Sequence, residues 1–136
     1  MEVKEFIFDR LFFIGCGMRE YPKKIKKLIR EFAAEAHERE LHRELAGLDR
    51  RFAEWRNGQL GSGALSDEIH KYENGPSREL FKRYNGELPD MMVAYAIAAG
   101  ILKREEIPAE LLEAIASPLE YFDRLKERGE LKIPKE

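Results

Sequence analysis

With 136 residues, the chain is long enough for one domain with a sizeable core and short for two. A composition of 43% hydrophobic and 37% charged residues excludes a disordered chain and describes a folded protein with a heavily charged surface. The net charge of −2 gives no global field toward nucleic acid or an anionic membrane, and the lone Cys16 excludes an intrachain disulfide or a multi-cysteine zinc site.

Residues 1–17 contain four phenylalanines and two isoleucines without a helical or strand period, and they read as an atypical N-terminal extension to a single helical domain at 18–136. Two sub-readings attach to the extension: a start of translation at Met18, or a short element covering an apolar patch. The stretch before Cys16 resembles the end of a lipoprotein signal only poorly. Asp9 and Arg10 interrupt it, leaving Leu11 to Gly15 short of the roughly 7 to 15 apolar residues of a signal core.

From about Pro22 to Arg56 the pattern predicts one long helix whose apolar stripe changes face. Ile25, Leu28, Ile29, Phe32 and Ala36 mark one side, whereas Leu41, Leu45, Leu48, Phe52 and Trp55 follow 4,3,4,3 spacing on a side rotated by roughly 160°. No Gly or Pro lies between Lys23 and Ala46 to break it. Asn57 and Gly58 supply the stop. A second helix to about Glu73 carries Leu65, Ile69 and Tyr72 on one face, after which Asn74-Gly75-Pro76 is expected to break and restart the chain. Leu80, Phe81 and Tyr84 share a face of the next helix, ended by Asn85-Gly86.

Pro89 opens a helix over 90–99 that is apolar nearly all round and is therefore the central piece of the fold. Gly100 closes it. Pro108 starts a fifth helix, and Ser117 with Pro118 a sixth that Gly129 terminates. The fold class is all-α: a long N-terminal helix, then about five shorter helices packed around 90–99.

A helix of this length extends roughly 50 Å, against a diameter of roughly 35 to 40 Å for a compact chain of this size. It is expected to overhang the body and expose Ile25, Leu28, Ile29 and Phe32 as an interface, most simply in a homodimer. Charge supports antiparallel pairing there, with about +5 on residues 18–30 and about −3 on 31–44.

Other constellations are weaker. Arg19, Lys23, Lys24, Lys26, Lys27 and Arg30 form a basic segment suited to a polyanion, although no helix-turn-helix or aromatic-basic platform accompanies it. His37 and His42 are five apart, whereas a zincin helix needs four. Asp67 and His70 offer half of a metal site with no facing partners. His70, Tyr72, Arg78 and Tyr84 are a candidate ligand pocket around the Asn74-Gly75-Pro76 junction. No catalytic set, metal or cofactor is expected. The leading reading is a non-enzymatic, cytoplasmic helical protein that acts as a protein-protein interaction or scaffold module and is homo-oligomeric through its long helix. The alternatives are a small nucleic-acid-associated regulator using 19–30, and a ligand- or metal-dependent catalyst near His70 and Arg78.

Overall fold

A computed structural model of the protein describes residues 21–86 and 88–134, and it is all-α, with no strand among them. Helix α1 spans Lys23–Arg56, α2 Ser62–Tyr72 and α3 Arg78–Tyr84, with a π-helical turn at Glu73–Ser77 between the last two. Then come α4 (Pro89–Ala98), a 3₁₀ turn (Arg104–Glu106), α5 (Ala109–Ala114) and α6 (Ala116–Glu127). The extension at 1–17, the Met18 start, Cys16 and Arg19 all lie outside the described residues.

The 34-residue α1 is unbroken through the change of stripe. It stops at a Schellman arrangement: Gln59 N–H donates to the Glu54 carbonyl at 2.8 Å and Gly58 N–H to the Trp55 carbonyl at 3.1 Å. Gly58 makes this turn at φ +78°, where a Cβ would be strained. Gly100 ends α4 in the same way, at φ +83°.

The expected break at Asn74-Gly75-Pro76 is corrected. The chain continues helically from α2 into α3 through the π turn, with Pro76 inside it. In a regular α-helix the Pro76 nitrogen would have to donate to the Tyr72 carbonyl, which it cannot do, and its ring would press on that carbonyl. A wider turn accommodates the proline without ending the helix. The expected cap at Ser117 also differs: α6 begins at Ala116, two residues before Pro118, with Ile115 in the cap position and no side-chain capping bond.

The core is built on α4, which packs against α1 on one side and α6 on the other. Asp90, Met91 and every residue from Val93 to Ala98 are buried. That follows from its composition, since a helix apolar all round must be enclosed. Ile25, Ile29, Ala33 and Ala36 of α1 join Leu111 and Ile115, and Leu119 and Phe122 of α6, in the same cluster. Leu28 and Phe32 are partly buried against it.

The N-terminal half of α1 is thus embedded in the monomer, and the expected overhang with an interface at Ile25, Leu28, Ile29 and Phe32 is corrected. The half that projects is the C-terminal one, which forms an antiparallel hairpin with α2; Trp55 Nε1 donates to Ser62 Oγ at 3.0 Å near its tip. No described helix is long and apolar enough to cross a membrane.

Small residues at Ala33 and Ala36 bring α1 into the alanine-rich α4. Ala36→Leu should therefore destabilise the fold by about 1 to 3 kcal/mol through overpacking, read as a lower urea midpoint with an unchanged slope.

Candidate functional site

Where the α1 stripe changes face, the helix buries a carboxylate. Glu40 is 4% exposed and continues the buried series Ile25, Ile29, Ala33, Ala36 at one-turn spacing. Tyr84, the last residue of α3, donates its hydroxyl to Glu40 Oε2 at 2.5 Å. Arg83 Nη1 lies 3.3 Å from both carboxylate oxygens. The imidazole of His37 stacks on the Tyr84 ring with centroids 5.0 Å apart and planes 12° from parallel. The Arg83 guanidinium also sits 5.2 Å from the centre of the Tyr95 ring, and Tyr95 donates its hydroxyl to the Lys132 carbonyl at 2.7 Å.

Burial, followed by the negative charge of Glu40, pushes the Tyr84 phenol far above its ordinary range, so it stays a protonated donor. Burial likewise raises Tyr95. The carboxylate receives charge-assisted bonds from both neighbours, so this cluster pins α3 to α1 and α4. Its Glu40 and Tyr84 are buried.

Arg39, one residue earlier, fastens the other side. It donates to Glu106 at 2.7 and 3.1 Å, to the Ile101 carbonyl at 3.0 Å and to Glu35 at 2.9 Å, tying α1 to the turn after α4. The Arg39 hydrogen bond holds the Glu106 carboxyl below its usual range. Asp90, fully buried at the start of α4, accepts from Met91 N–H at 2.9 Å and from the Tyr21 hydroxyl at 3.2 Å. Desolvation dominates there and raises its pKa in spite of both bonds.

A groove of about 440 Å³ runs between α1 and the α2–π segment, its walls including Gly47, Leu48, Lys71, Tyr72 and Pro76. The charges along it neutralise one another: Arg51 pairs with Glu54 at 2.9 Å and Lys71 with Glu68 at 3.8 Å.

The opposite flank of the hairpin is different. Leu45 and Ile69 are 47% and 37% exposed, and Trp55 near the tip is 41% exposed. Leu48 and Phe52 are half-buried, and in α2 only Leu65 is buried. Two helices alone cannot enclose a seam of this width. The result is an apolar strip outside the buried core cluster.

The structure disperses the four residues of the expected ligand pocket. His70 and Arg78 are exposed, Tyr72 lines the groove and Tyr84 belongs to the Glu40 cluster. The cause is the helical rotation that the uninterrupted passage from α2 to α3 imposes. Of the basic segment, Lys23, Lys24, Lys27 and Arg30 are exposed and Lys26 is half-buried. Lys24 is engaged with Glu110 at 3.1 Å and Lys27 with Glu31 at 3.9 Å. His37 stacks on Tyr84 while His42 is exposed, and no group of three or more His, Cys, Asp or Glu among the described residues is placed to hold a metal. Sequence reasoning missed Glu40. Its signal was positional: with Ala33 it extends the first stripe by one turn, where an apolar residue would be ordinary.

No protein-family model, curated protein or solved structure matches the chain.

Two outcomes check these electrostatics. Tyr84→Phe leaves Glu40 with Arg83 alone and should cost about 1.5 to 3 kcal/mol in urea unfolding, as for a hydrogen bond to a charged group. Arg124→Ala, which breaks the exposed pair with Glu120, should stay within about 0.5 kcal/mol. For Asp90 the raised pKa means that the native state binds more protons than the unfolded chain between the ordinary aspartate value, about 3.9, and the native one. Stability from this group therefore falls as pH rises through that window. Asp90→Asn should gain relative to wild type across the same window, read as denaturation midpoints from about pH 3 to 7; a pH-independent difference would remove this assignment.

Proposed function

We propose that the protein is a helical protein-protein interaction module that works by docking, through the hairpin of α2 and the C-terminal half of α1. One observation carries this reading: of the five exposed large apolar side chains among the described residues, Leu45, Trp55 and Ile69 lie together on that hairpin, outside the core cluster, whereas Phe81 of α3 and Ile133 stand apart from it. Exposed apolar strips rimmed by charge are the ordinary mark of a docking face. The 4,3,4,3 spacing of Leu41 to Trp55 is that of a knobs-into-holes seam, which is matched by another helix and not by water.

The division of labour along α1 supports the same conclusion. Its first half is occupied in holding the core, and its second half contributes little to that core while remaining rigidly continuous with it. A rigid arm presents side chains with little ordering cost on binding. The buried carboxyl groups Glu40 and Asp90 already have hydrogen-bond partners, whereas Leu45, Trp55 and Ile69 of the hairpin keep apolar area in water.

A photoreactive amino acid placed at position 45 should form protein adducts in cells, and one placed at position 126, on the exposed side of α6, should not. No adduct at 45, or equal labelling at both positions, would end this reading.

A further inference from the structure

We infer that the occupant of the hairpin face is the same face of a second copy of this chain, laid antiparallel across a two-fold axis that crosses the flank at the level of residue 47. This rests on the docking role proposed for the hairpin and names its partner.

Glu38, Leu45, Phe52 and Arg56 recur along α1 at spacings of 7, 7 and 4 and so share one flank of the helix. Ile69 supplies the corresponding flank of α2, while Gly47 and Lys71 face the groove on the other side. Along α1 this flank carries Leu45 and Phe52 in its middle, with the exposed Asp49 between them, and charges of opposite sign at its two ends. Arg56 stands at the tip and Glu38 toward the core, both exposed, and neither makes an ion pair among the described residues.

That arrangement is self-complementary in one orientation only. Parallel stacking would set Arg56 on Arg56 and Glu38 on Glu38, and like charges at a rim oppose association. Antiparallel stacking on an axis across the hairpin reverses the order, and because Gly47 is midway between 38 and 56, each Arg56 arrives at the level of the other copy's Glu38. The same operation brings Leu45 of each copy close to the axis. An isologous contact needs a patch that complements itself, and a four-helix arrangement of two hairpins encloses a seam that a single hairpin leaves wet.

The 136-residue chain should scatter light as a species of twice 15.9 kDa, with dissociation into single chains on dilution. Leu45→Arg or Ile69→Arg should raise the dissociation constant about 10-fold or more. Both sites are already exposed, so helical circular dichroism should be unchanged. Arg56→Glu alone and Glu38→Arg alone should each weaken the dimer about two- to five-fold, and the two together should restore it. A single-chain mass at all concentrations overturns the inference. So does a dimer indifferent to Leu45→Arg, or charge reversals that fail to rescue each other. A monomer whose position 45 nevertheless cross-links to a different protein in cells refutes the second copy while sparing the docking role. Absence of any adduct removes both.

Discussion

The buried carboxylate of Glu40 is the constraint around which this structure is arranged. Taking an ionised carboxylate from water costs several kcal/mol unless the protein replaces its hydration. Here Tyr84 and Arg83 do so from the end of α3. Those two bonds exist only if α3 reaches α1 at one depth and one rotation, which fixes the passage from α2 through the π turn and the place where the chain turns into α4. Arg83 in turn lies over Tyr95 of α4, and Tyr95 ties down the irregular segment after α6 at Lys132. A hydrophobic residue at position 40 could pack as well, but it would not distinguish one register of α3 from another.

Glu40 also marks a boundary along α1. On its N-terminal side every buried residue of that helix is apolar and feeds one cluster with α4, α5 and α6; on its C-terminal side none is buried. One covalently continuous helix therefore belongs to two environments. Its length is what makes this possible: roughly 50 Å of helix exceeds what the remaining helices can cover, so part of it must stand out with α2 beside it.

The elements were legible wherever a local signal sufficed. Asn57-Gly58 and Gly100 ended helices because a positive φ is needed there and glycine alone adopts it without strain. The apolar composition of 90–99 announced a central helix, and the absence of Gly and Pro before Ala46 announced that α1 would run through its change of stripe. The π turn was less accessible. Asn-Gly-Pro is a strong stop signal, and only the packing of Leu80 and Tyr84 on the body of the protein makes it preferable to continue helically with one widened turn. The exposure expected of Ile25, Leu28, Ile29 and Phe32 failed for a related reason: the pattern revealed two apolar stripes but not which of them the rest of the chain would reach.

The sequence by itself determined the all-α class, the unbroken length of α1, the existence of two opposed apolar stripes and the identity of the central helix. Each of these depends on neighbours within a turn or two, through helical periodicity, backbone sterics and the lack of a breaking residue. Only the tertiary structure decided that the N-terminal stripe is the buried one, that Glu40 meets Tyr84 and Arg83, that His70, Tyr72, Arg78 and Tyr84 are kept apart, and that Leu45 and Ile69 remain in water. Those outcomes depend on contacts between residues some 40 to 60 positions apart in the chain, where direction and depth are set by the packing of whole helices and not by any pattern within one of them.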